Sequence, residues 1–102
     1  MRRGTTPAIV LSVDMDLIGW HVYVTLKSRN NILTLDNGRL NMELSGRKTI
    51  IAFPLTQAET LAFSPGKCKV QVRAVHDGTA IASDIGEFEI DSILQQGIIH
   101  DI

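Results

Sequence analysis

The sequence predicts an all-β protein built from antiparallel strands. Three observations lead there. Apolar residues alternate with polar ones along most of the chain, the alternating runs are short, and Asn37-Gly38, Ser45-Gly46, Pro65-Gly66 and Asp77-Gly78 punctuate them. Alternation turns one face of a strand toward a core and the other toward water. The punctuating pairs supply the backbone angles that tight reversals need. Helical periodicity is nearly absent.

The first run, Ala8 to Val13, sets Ile9, Leu11 and Val13 on one face, and the turn-rich Asp14-Met15-Asp16 then leads toward Trp20. The second is the clearest in the chain: Val22, Val24 and Leu26 alternate with His21, Tyr23, Thr25 and Lys27, the pattern of a half-buried strand. After Ser28-Arg29-Asn30-Asn31, a run from Ile32 to Leu35 meets Asp36-Asn37-Gly38 and is expected to return as Arg39 to Leu44. Ser45-Gly46-Arg47 reverses the chain again into Thr49 to Phe53, closed by Pro54, so these three strands read as a meander.

One helical signal follows, from Leu55 to Phe63. Thr56 can cap the first free N–H groups while Glu59, three residues on, reaches back to the cap. Pro65-Gly66 stops it within about two turns, too short to stand alone, so it is expected to be a crossover near residues 56–62 between sheet edges. The last hairpin runs out from Lys69 to His76, turns at Asp77-Gly78 and comes back from Thr79 to Ile90, interrupted at Ser83-Asp84-Ile85-Gly86 by a bulge or bend. Residues 92–102 form a C-terminal tail with no strand partner that the pattern assigns.

About seven short strands with one helical crossover fit an antiparallel two-sheet sandwich of immunoglobulin-like type, and a small barrel is the alternative. The cysteine pair of antibody domains is missing, so the likeness is one of architecture. With 102 residues, 44% of them hydrophobic and 21% charged, the chain is expected to be one folded domain spanning residues 1–102.

Ten basic and eleven acidic residues give a net charge of -1, so no overall field gathers phosphate backbones or anionic lipids. Neither nucleic acid nor membrane is an expected partner. Cys68 is the single cysteine, which excludes an intrachain disulfide framework and is expected to be a buried small hydrophobe. The apolar stretch after Arg2-Arg3 is broken at Ser12, Asp14 and Asp16, so no signal peptide is expected, and no apolar run approaches the roughly 20 residues of a membrane span.

Chemistry is sparse. Asp14-Met15-Asp16 resembles the start of a calcium loop, but Ile18 stands at the third ligand position and no bidentate acid follows at the required distance. His21, His76 and His100 lack the spacing of a zinc site. Asp84 and Glu87 could be imagined as an acid pair, though an exposed polar bend accounts for them more simply. No nucleophile elbow or phosphate-binding glycine loop is present. Arg2, Arg3, Arg29, Arg39, Arg47 and Arg73 are dispersed, and one Trp, one Tyr and three Phe are few for a base-stacking platform. The expectation is a non-enzymatic protein with no catalytic, cofactor-binding or metal residues, working through protein contact. The expected contact residues are Ile93, Leu94, Ile98, Ile99 and Ile102 of the tail, which pack either on the domain's own open end or on a neighbouring copy or partner.

Arg2-Arg3-Gly4-Thr5-Thr6-Pro7, Leu55-Thr56-Gln57-Ala58-Glu59-Thr60-Leu61, Val70-Gln71-Val72-Arg73, and Asp77-Gly78-Thr79-Ala80 followed by Ala82-Ser83-Asp84 occur together along the chain. In this combination the sequence resembles small uncharacterised proteins encoded in prophages of gut bacteria, among head and tail structural genes. It departs from them at Ala58, where an acidic residue is common. The resemblance implies a virion component or assembly factor, of the tail or baseplate region, partnered by itself as a homo-oligomer or by other virion proteins. It implies residence in the virion, or in the host cytoplasm during assembly. The reading from another class is a carbohydrate- or receptor-binding sandwich module, for which Trp20 and Tyr23 would have to be exposed on a concave polar face. A third is a small inhibitor of a host enzyme.

Overall fold

A computed structural model describes residues 1–29, 31–83 and 85–90 of the chain. Those residues form two antiparallel sheets. One has the order β1 (Ala8–Val13), β5 (Lys48–Pro54), β4 (Asn41–Ser45), and the other β3 (Asn31–Leu35), β2 (His21–Ser28), β6 (Gly66–His76), β7 (Thr79–Ala82), with β8 (Gly86–Ile90) also on β6. The strand count is eight rather than about seven because the return limb of the last hairpin is divided.

The division is a bulge of the kind the Ser83 to Gly86 interruption predicts. Arg73 pairs with Ala82 and Val70 with Gly86, so the register shifts by one residue between the two pairings. Ser83 repairs the ladder. Its hydroxyl accepts from the Val72 N–H at 3.0 Å, its own N–H donates to Val72 C=O at 2.8 Å, and its carbonyl accepts from the Gln71 side chain at 2.9 Å. At the hairpin tip Asp77 (φ 49°) and Gly78 (φ 81°) both adopt the left-handed conformation that a two-residue turn of matching twist requires.

The core lies where the strand faces read from the sequence meet. Val22, Val24 and Leu26 of β2 and Cys68, Val72 and Ala74 of β6 are buried from one sheet, and Ile51 and Phe53 of β5 from the other. Leu17, Leu55 and Phe63, from the connections, complete the same cluster. Ile9, Leu11 and Val13 of β1 are half-buried against it, on the face that their alternation predicts.

The expected meander from Ile32 to Phe53 is corrected. β3 pairs with β2, not with β4, and β4 belongs to the other sheet. Asp36-Asn37-Gly38 does not make a tight hairpin, because its side chains are committed elsewhere. Asp36 accepts from the Gly38 N–H at 3.1 Å and starts a 3-10 turn over Asn37–Arg39. Asn37 accepts from the Val22 N–H and donates to Trp20 C=O at 3.0 Å, which fastens the turn to the entry of β2 and sends the chain across to the second sheet.

The helical crossover is the short turn α1 (Gln57–Ala62), with the reciprocal cap in place: the Glu59 N–H donates to Thr56 Oγ1 at 3.1 Å and the Thr56 N–H to Glu59 Oε1 at 2.9 Å. It carries the chain from β5 in one sheet to β6 in the other. Buried polar groups tie the connections down. Ser28 donates to Ser64 C=O at 3.0 Å and Thr60 to Thr5 C=O at 2.9 Å. Thr49 donates to Met15 C=O at 2.7 Å while accepting from the Leu17 N–H at 2.8 Å.

Candidate functional site

The feature of this fold best suited to function is an edge and the groove beside it. Among the described residues β1 is paired on one side only, by β5, in the register Ile9 with Phe53, Leu11 with Ile51 and Val13 with Thr49. In an antiparallel ladder alternate residues turn both backbone groups toward the partner. Pro7 C=O accepts from the Leu55 N–H at 3.0 Å, so Ile9, Leu11 and Val13, in step with Pro7, face β5. Ala8, Val10 and Ser12 therefore direct their N–H and C=O groups outward. Among these outward residues Val10 carries a large apolar side chain that is 63% exposed.

Beside that edge a shallow apolar groove opens between the two sheets. Leu11 and Val13 form one wall and Val70, Val72, Gly86 and Phe88 the other, with Ser12, Asp14 and Ser83 toward one end and Glu87 toward the other. Gly86 narrows toward Val70, whose Cγ1 would stand 3.3 Å from a Cβ added there, so the groove floor admits no side chain at that position without a shift. No charged residue occurs from Gly4 to Val13, and the charges stand at the two ends: Arg2 and Arg3 before the strand, Asp14 and Asp16 after it.

No protein-family model matches the chain, and no curated protein matches it.

The residues singled out by sequence are scattered over the molecule. Asp16 accepts from the Ile18 N–H at 3.0 Å, closing a local turn. His21 stacks on Tyr23 at 5.7 Å on the outer face of the β2 sheet, and His76, the last residue of β6, meets Trp20 at 5.3 Å. Trp20 is half-buried and packs on the core, so it offers no open platform. Glu87 lies 4.0 Å from Lys67, an exposed ion pair across β6 and β8. Cys68 is buried, and burial pushes its thiol above the ordinary range. Among the described residues no three of the His, Cys, Asp and Glu side chains gather where they could hold a metal ion. Among them, too, no helix is long and apolar enough to cross a membrane. Asp84, His100 and the expected contact residues Ile93, Leu94, Ile98, Ile99 and Ile102 lie outside the described residues.

A two-pronged charged contact joins two connections rather than a site. Arg39 of the 3-10 turn makes a two-pronged contact with Glu59 of α1, at 2.9 and 2.8 Å, and also donates to Pro54 C=O at 3.0 Å. The Arg39 guanidinium hydrogen bonds hold the Glu59 carboxyl below its usual value, against the opposing effect of burial, and Glu59 in turn raises Arg39. The β1 edge itself is absent from a reading of motifs, because strand position within a sheet is a long-range property. One local signal was available: ten residues without a charge, Gly4 to Val13, in a chain that is 21% charged.

Proposed function

We propose that this chain is a non-enzymatic phage structural or accessory protein, of the tail or baseplate region, that works by protein–protein contact. The observation that carries the contact reading is the uncharged, outward-facing edge of β1 with an apolar groove beside it. Such an edge is a template for adding a strand, and folded proteins ordinarily blunt it with charge, proline or a cover. The virion assignment rests on the resemblance of the turn and cap segments.

The same reading takes the fold as immunoglobulin-like, and strand order supports it. The order β1-β5-β4 matches strands B, E and D of that fold, and β3-β2-β6 followed by β7 and β8 matches C′, C, F and a divided G. On this assignment the counterpart of the first strand, A, is missing among the described residues, and among them β1 therefore keeps one unpaired edge. A rigid sandwich with one open edge suits a particle built by repetition, since weak contacts multiplied around a symmetric assembly become strong.

The carbohydrate-binding alternative draws nothing from Trp20, which packs inward. The test is the solution mass of the full chain by light scattering across concentration, with Ile98→Lys/Ile99→Lys beside it. A defined oligomer supports self-assembly, and its loss in the double variant assigns the contact to the tail. A monomer at every concentration removes self-assembly from the proposal.

A further inference from the structure

We infer that β1 is the seam of a two-fold dimer, pairing antiparallel with β1 of a second copy of this chain. The inference rests on the self-assembly reading above and names the surface that reading leaves open.

Self-complementarity carries it. A two-fold axis through Val10 sets Val10 against Val10 of the second copy and Ala8 against Ser12, the very residues whose backbone groups face outward. All three outward residues are then satisfied, with about six inter-chain N–H···O=C bonds. Moving the axis to Ala8 or Ser12 leaves outward groups without a partner. The side chains agree with the register as well. Val10 meets Val10 and small Ala8 meets small Ser12 on the outer face, while Ile9 meets Leu11 on the groove side, where both are half-buried. Val10 gains a partner for a side chain that is 63% exposed.

Charge fixes the orientation. Antiparallel pairing carries the Asp14 to Asp16 end of one copy toward the exposed Arg2 of the other, at both ends of the seam, while Arg3 is held within its own chain by Leu61 C=O at 2.8 Å. Parallel pairing would set like charges side by side. The product is one continuous sheet running β4-β5-β1 and then the same strands of the second copy in reverse. The edge strand β3 is also uncharged, with Ile32 as exposed as Val10, but its uncharged run spans only Asn30 to Leu35 against the ten residues from Gly4 to Val13; the remaining edges are less suited. β7 has four residues, β4 carries Glu43, and β8 carries Glu87 and Glu89 with the Glu89 carbonyl already taken by the Met1 amino group at 2.6 Å.

The test uses the full chain with Val10→Pro, Val10→Lys and Ile32→Lys. Because the Val10 N–H faces away from β5, proline there removes an edge donor and no bond of the β1–β5 ladder. Ile32 is equally exposed, at 63%, on the unrelated edge strand β3. Circular dichroism and thermal melting check that each variant folds. The inference expects a wild-type dimer by light scattering, a dissociation constant raised by at least about tenfold in both Val10 variants, and no change with Ile32→Lys. Amide exchange at Val10 should be slow in the dimer and fast on dilution to monomer.

A dimer that survives both Val10 variants overturns the seam and leaves self-assembly standing through another surface. A wild-type monomer overturns both. A monomer in which the Val10 amide is nevertheless protected overturns the seam by showing that the same chain covers the edge.

Discussion

Thr49 is the side chain on which the β1–β2 connection hangs, and Thr49→Val tests that role with almost no change of shape. The hydroxyl accepts from the Leu17 N–H and donates to Met15 C=O, and both Thr49 and Leu17 are fully buried. Valine leaves the Leu17 N–H without an acceptor in a place water does not reach, at a cost of about 1–3 kcal/mol. Met15 C=O is only partly buried and recovers most of its loss from solvent. The methyl that replaces the hydroxyl returns about 0.8 kcal/mol of apolar burial. The balance is a loss of about 0.5–2.5 kcal/mol, or roughly 2–20 °C in melting temperature for a chain of this size. Urea and thermal unfolding measure it, and exchange of the Leu17 amide locates it. Thr49→Ser, which keeps both hydrogen bonds, should leave that amide protected even though it loses a methyl. A Val variant within about 0.5 kcal/mol of wild type, with Leu17 still protected, refutes the reasoning.

Three further outcomes follow from the same structure. Asn37→Ala removes the acceptor of the buried Val22 N–H and the donor to Trp20 C=O, and should cost about 1–3 kcal/mol in urea unfolding. Glu59→Gln should cost about 0.5–1 kcal/mol at neutral pH. Because the folded-state value of Glu59 lies below the ordinary 4.5, this contribution is fully present above that pH and fades as pH falls through the folded value, so wild type and variant should converge in stability once acid has protonated Glu59 in the folded chain. Cys68 is buried with its thiol raised, so a thiol reagent at pH 8 should label the native chain at least about a hundredfold more slowly than the chain in denaturant.

Much of the fold is written in local pattern. The buried faces of β1, β2 and β6 follow from alternation, the cap of α1 from Thr56 and Glu59, and the interrupted return strand from Ser83 and Gly86. The misread element is instructive. Asn37-Gly38 carries the strongest short-range hairpin signal in the chain, yet the Asn37 side chain is spent on Val22 and Trp20, more than a dozen residues earlier. Local propensity lost to a tertiary contact that no window around residue 37 contains. Thr49 was missed for the same reason: a threonine in a β-run reads as an ordinary strand residue, and only the loop folded over it reveals two hydrogen bonds. The edge position of β1 is of this kind too, because alternation reports which face is buried and not which neighbour is absent. Sequence reasoning instead put the contact surface on Ile93 to Ile102, where apolar residues lack a visible partner.

The pairing of β2 with β6 has a consequence for how the chain comes into being. These two strands form the centre of the larger sheet, Val24 opposite Val72, yet the whole of β3, β4, β5 and α1 lies between them in sequence. During synthesis Val22, Val24 and Leu26 leave the ribosome long before the strand that covers them, and no local contact can substitute for it. The interval between translation of residue 28 and residue 76 is therefore the period of greatest exposure to aggregation and to chaperones. Ribosome-bound chains should become protease-resistant in one late step as β6 emerges, rather than gradually from the N-terminus.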